Sequence, residues 1–142
     1  MIRKNILLFL LSSAFFLVTL LFFSLKKDQE KSFFLSKEID NYGLYTHRGD
    51  LLEAKKVLKK PSVFFFGFLN CPDICPNTLL EISNIIKKLE KKSNKISFYF
   101  VTVDPERDTI SNMKNYLTNF NESIIGITGD ADNIKKFLKS MH

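Results

Sequence analysis

The sequence predicts an α/β domain behind an apolar N-terminal segment. Three observations support this. Apolar runs rich in strand formers (62–69, 96–103 and 124–128) alternate with stretches whose apolar residues recur every three or four positions. At 142 residues the chain has room for one domain at most. Ile6 to Leu25 carries no charge, and about twenty such residues match the ~30 Å hydrocarbon core of a bilayer.

Residues 1–5 form an N-terminal flank, 6–25 a transmembrane anchor, 26–32 a charged linker, and 33–142 the domain. The anchor is read as uncleaved, because Phe22-Phe23-Ser24-Leu25 runs straight into Lys26-Lys27 without the small residues of a signal-peptide cut. A buried core helix is the weaker alternative, since core helices usually show a polar face. Arg3 and Lys4 are balanced by Lys26, Lys27 and Lys31, so charge does not fix the orientation.

Within the domain, Phe33-Phe34-Leu35 and Tyr42 to Thr46 suggest strands, with His47-Arg48-Gly49-Asp50 as a turn, giving an irregular hairpin before the main sheet. Lys59-Lys60-Pro61 ends any preceding helix. The unbroken apolar run from Ser62 to Leu69 predicts a strand covered on both faces. Pro76 suits a first helical turn, and Leu79, Ile82, Ile85, Ile86 and Leu89 mark one apolar helix face. A strand over 96–103, a helix over 109–120, a short strand over 124–128 and a helix over 130–139 follow. This alternation implies parallel pairing through crossovers.

The net charge of +6 does not indicate nucleic-acid binding, because the lysines are spread along helix faces and interleaved with Asp and Glu. The two cysteines are the chemical signal. They stand in Cys71-Pro72-Asp73-Ile74-Cys75-Pro76, between a strand and a helix. Unpaired amides and the positive end of the dipole at a helix start favour thiolate over thiol. Two thiolates at this spacing can converge on a soft ion; copper(I) tolerates low coordination, whereas zinc normally takes four ligands. His47 and His142 add no ligand-like spacing. The same pair permits a reversible disulfide, and an inert staple is the bland alternative. A pair with no other cysteine suits a compartment of variable redox state, which favours a domain facing the periplasm or its organellar equivalent.

Gly67-Phe68 before Cys71 to Pro76, then Val101-Thr102-Val103-Asp104-Pro105-Glu106-Arg107-Asp108-Thr109, then Ile125-Gly126-Ile127-Thr128-Gly129, together resemble the Sco/SenC family. The resemblance spans about residues 33–142. It implies a membrane-anchored, thioredoxin-like domain in the periplasm or mitochondrial intermembrane space. It also implies a copper-binding assembly factor, a metallochaperone more than a turnover enzyme, that loads the binuclear copper site of cytochrome c oxidase subunit II. Cys71 and Cys75 take the places of the family's copper thiolates, with Asp73 and Asp104 near the site.

Relatives carry a third ligand, a histidine in a Val-Asp-His segment on a C-terminal hairpin. This sequence reaches Met141-His142 without such a segment, so the thioredoxin-like domain is expected to be incomplete at its C-terminus. His142 lacks the Val-Asp context and His47 reads as a turn residue, so neither inherits the ligand role. Leu69-Asn70 stands where many relatives have Thr-His. Loss of the hairpin would bare the 62–69 strand as an apolar edge. Two alternatives accompany the copper reading: a thiol-disulfide oxidoreductase with Cys71 and Cys75 as redox pair, and a non-functional truncated remnant.

Overall fold

Pro61 delivers the chain into the first long strand, and every later turn of the domain returns it to the same sheet. The computed structural model describes residues 13–22, 39 and 42–141. The chain divides into two units, Met1–Phe34 and Leu35–His142. In the first, residues 13–22 are helical and exposed. Among the described residues no helix is long and apolar enough to cross a membrane. The rest of the predicted anchor, the flank 1–5, the linker 26–32 and the suggested strand at 33–35 lie outside the described residues.

The second unit runs β1 (Tyr45–Thr46), α1 (Ala54–Val57), β2 (Ser62–Gly67), α2 (Ile74–Leu89), a 3-10 turn (Glu90–Lys95), β3 (Ser97–Thr102), α3 (Ile110–Leu117), β4 (Ile124–Thr128) and α4 (Ala131–Ser140). The sheet order is β1-β4-β3-β2. β2 pairs parallel with β3 from Ser62↔Ser97 to Gly67↔Thr102, and β3 pairs parallel with β4 from Phe98↔Ile124 to Val101↔Ile127. The expected parallel core is therefore present. β1 adds antiparallel to β4 through Tyr45↔Thr128 and Thr46↔Ile127. Of the anticipated hairpin, the described part is β1 followed by a turn at 47–50, where Gly49 adopts φ +89° and the Leu52 amide returns to the Leu44 carbonyl at 2.7 Å.

Successive side chains of β3 point to opposite faces, and this period builds two cores. Tyr99 and Val101 pack with Leu44, Val57, Ile127, Ile134 and Phe137. Phe98 and Phe100 pack with Leu79, Ile86, Met113, Leu117 and Ile124. Two expectations need correction. β2 is not covered throughout: among the described residues it ends the sheet, and Val63 and Phe66 are 45% and 39% exposed. Phe64 and Phe65 still pack inward, one on each core. Ile85 is not on the buried face of α2, which runs through Leu79, Ser83 and Ile86. It lies about 100° around the helix from Ile86 and is exposed.

Candidate functional site

β2, β3 and β4 point their carboxyl ends the same way, and the thiol pair stands at that end of the sheet, where open α/β folds bind ligands. After Gly67 the chain turns through Phe68, Leu69 and Asn70 to Cys71, which precedes α2, while Cys75 is the second residue of the helix. The two thiols are unbridged; Cys71 is partly exposed and Cys75 buried.

Their environments differ. The Cys71 sulfur accepts the Cys75 amide, the Cys75 thiol and the Asp73 and Ile74 amides, and these hold its pKa below the ordinary thiol range. Burial pushes Cys75 up, offset in part by the Phe68 amide donating to its sulfur, with the charges of Cys71 and Asp108 adding to the rise. The pair therefore combines a reachable sulfur inclined to ionise with a buried thiol that keeps its proton and donates to the first. The helix-start argument from sequence holds for Cys71 and fails for Cys75, because burial outweighs the amides there.

Gly67 makes room for this arrangement. A Cβ at that position would lie 2.8 Å from Cys75 Sγ and 2.9 Å from Phe100 Cε2. Behind the thiols, Asp108 is buried and ties the strand ends together. Its Oδ2 accepts the Leu69 amide at 3.1 Å and the Thr102 hydroxyl at 2.6 Å. Its carbonyl accepts the Thr128 hydroxyl at 2.9 Å. Of the two carboxylates expected nearby, Asp73 contributes its amide to Cys71 while its side chain accepts Asn77 Nδ2 at 2.7 Å. Asp104 is engaged in an ion pair with Arg107.

Two residues at the site went unrecognised in the sequence, Asp108 and Tyr116. The Tyr116 hydroxyl is buried without a partner among the described residues. Burial raises its pKa, and the charges of Cys75, Cys71 and Asp108 raise it further, so these groups share one neighbourhood. A hydroxyl residue ending a strand six positions before an acid in a tight turn was a faint signal for the Thr102–Asp108 bond. A tyrosine beside Leu117 on the apolar stripe of α3 was another.

His47 lies in the seam between β1 and β4. Its amide donates to the Gly126 carbonyl at 2.8 Å, and its Nδ1 accepts the Gly126 amide at 2.9 Å. His142 lies outside the described residues. Among the described residues no group of three or more His, Cys, Asp or Glu is placed to hold a metal ion, so the thiols offer two sulfur donors and no third ligand from that set.

A parallel-stranded sheet with a thiol pair straddling the first turn of its crossover helix defines a thioredoxin-like dithiol protein. The SCO1/SenC family profile matches residues 31–142, and the chain belongs to that family. It is 38% identical over 94 residues to a SCO2-like protein of Rickettsia prowazekii, covering 66% of this chain and 46% of the relative. It is 34% identical over 100 residues to the mitochondrial protein SCO1 homolog 1 of Arabidopsis thaliana, covering 70% of this chain and 30% of the relative. The chain thus spans less than half the length of these relatives. Among solved structures, it resembles Bradyrhizobium japonicum ScoI with copper bound, with TM-score 0.66 and 40% identity over 68% of this chain and 62% of that one. It also resembles yeast Sco1 with copper bound, with TM-score 0.64 and 38% identity over 68% and 62%.

Proposed function

We propose that this chain is a membrane-tethered copper-binding assembly factor, in which Cys71 and Cys75 hold cuprous ion as cargo and pass it by ligand exchange to thiols on a partner. One observation carries the reading: the two free thiols stand together at the open strand end, Cys71 just before α2 and Cys75 in its first turn, each acting on the other's ionisation. Two soft donors at one strand end suit copper(I). With no third ligand from the described residues, copper(II) should bind poorly. The B. japonicum and yeast relatives with copper bound support the choice of metal. The partner implied by the family resemblance is cytochrome c oxidase subunit II. Residues 6–25 serve as the single-pass anchor and 26–32 as the linker, and the domain at 33–142 faces the periplasm or the intermembrane space. Reduced protein should retain one cuprous ion per chain against a mild competing chelator. Cys71→Ser and Cys75→Ser should each abolish retention, and a parent chain that surrenders the ion as readily as the variants would overturn the proposal.

The unequal thiols favour a second reading, thiol-disulfide exchange. The Cys71 thiolate attacks a partner disulfide, forming a mixed disulfide and releasing one partner thiolate. Cys75 then displaces the second partner sulfur and closes the Cys71–Cys75 bond. The chain is oxidised and the partner reduced by the same two electrons. A mixed disulfide trapped with Cys75→Ser, in a protein that retains no copper, would select this reading.

A further inference from the structure

Beside the thiols lies a cavity of about 370 Å³ whose wall includes Leu69, Asn70, Arg107, Asp108, Asn115 and Tyr116. Asn70 immediately precedes Cys71, and the charges of Cys75 and Cys71 act on Tyr116, so the cavity borders the neighbourhood of the thiol pair. The charged groups in the wall are already committed. Arg107 is paired with Asp104, and Asp108 Oδ2 takes the Leu69 amide and the Thr102 hydroxyl. Of the neutral groups, Asn112 Nδ2 already donates to the Arg107 carbonyl at 3.0 Å, whereas among the described residues the Asn70 and Asn115 carboxamides make no side-chain hydrogen bond and the buried Tyr116 hydroxyl has no partner. Leaving a buried hydroxyl unpaired is costly, and an incoming acceptor removes that cost. A carboxamide donates and accepts at once, which matches the alternating carbonyls and amides of an extended chain. An anion would find little free positive charge here.

We propose that this cavity is a subsite for the main chain of the thiol-bearing partner, holding the extended segment that flanks the partner's sulfur. Tyr116 donates to a peptide carbonyl, and Asn115 and Asn70 pair with neighbouring amide groups. The proposal deepens the assembly-factor reading, since it presumes a protein client at Cys71, but it does not require copper.

The test compares two mixed disulfides with one leaving group, using the full chain in detergent. One is a capped pentapeptide with a central cysteine joined to thionitrobenzoate; the other is mercaptoethanol joined to the same group. In each, the Cys71 thiolate bonds to the peptide or mercaptoethanol sulfur, the old S–S bond breaks, and thionitrobenzoate leaves with the electron pair and is read by its absorbance. Cys75 then displaces the bound thiol. The parent should react faster with the peptide. The ratio of the two rates should fall about five-fold in Tyr116→Phe, the effect of one lost hydrogen bond, and also in Asn115→Ala, a surface change that spares the core. A fall in either variant supports the subsite and assigns the contact to that residue. A parent with no preference for the peptide, or a ratio unchanged in both variants, overturns it. Failure to retain copper leaves this assay readable, so the two proposals fail separately.

Discussion

Gly67 and Cys75 are in direct apposition, with 2.8 Å between the position of a Gly67 Cβ and Cys75 Sγ. A methyl there would also meet Phe100 Cε2 at 2.9 Å, so both neighbours would have to give. Gly67→Ala should therefore destabilise the domain by about 1–3 kcal/mol, as overpacking of a filled core does. Urea unfolding monitored by circular dichroism checks this, and a midpoint equal to the parent's would show that β2 yields without cost.

Cys71 should be alkylated before Cys75. The amides around Cys71 lower its pKa and burial raises that of Cys75, so thiolate at neutral pH is concentrated on the exposed sulfur. Iodoacetamide rates measured against pH in Cys75→Ser and Cys71→Ser should give a lower midpoint and a faster neutral rate for Cys71. Equal profiles would remove the basis for naming Cys71 as the attacking thiol.

Asp108 holds the loop after β2 to the end of β3 through two hydrogen bonds to one oxygen. Asp108→Ala should cost about 2–3 kcal/mol by leaving the Leu69 amide and Thr102 hydroxyl unpaired, and Asp108→Asn should cost less. Because the Asp108 charge contributes to the raised Cys75 pKa, the Asn variant should also ionise Cys75 at lower pH. Paired denaturation and thiol titration would check both effects.

Acidification should loosen the seam between β1 and β4. Burial and then the Arg48 charge lower the His47 pKa from 6.5, with Lys114 contributing. A lowered base favours the neutral form in the fold, so its contribution is complete above the unfolded value of 6.5 and is lost as pH falls below it. A protonated Nδ1 also forfeits the Gly126 amide. Unfolding midpoints between about pH 7 and pH 5.5 should fall in the parent and fall less in His47→Gln. Parallel slopes would assign the loss to other groups.

The elements that could be read in the sequence are those whose pattern is local. The strand beginning at Ser62 follows a proline, the one at 124–128 is bounded by turn residues, and Thr109 caps α3 by accepting the Asn112 amide at 3.2 Å. β1 was legible as the end of the strand suggested over Tyr42 to Thr46, but its antiparallel pairing with β4 was not, because that is set some eighty positions away. The thiol pair was visible through its spacing and its place before a helix. The inequality of the two sulfurs was not, since it arises from the burial of Cys75 in the folded domain while Cys71 stays partly exposed. Asp108 and Tyr116 were missed for the same reason: a carboxylate in a turn and a tyrosine on a helix become site residues only when β3 and α3 bring them to the same strand ends.

The order β1-β4-β3-β2 has a mechanical consequence for a chain pulled from its N-terminal side. Load arriving through the residues before Tyr45 meets the border farthest from the sulfurs, where a two-residue ladder and the His47 clasp would peel like a zipper. The parallel rungs beneath Cys71 and Cys75 would stay closed until that fastening had given way, shielding the reactive end from tension applied upstream of Tyr45.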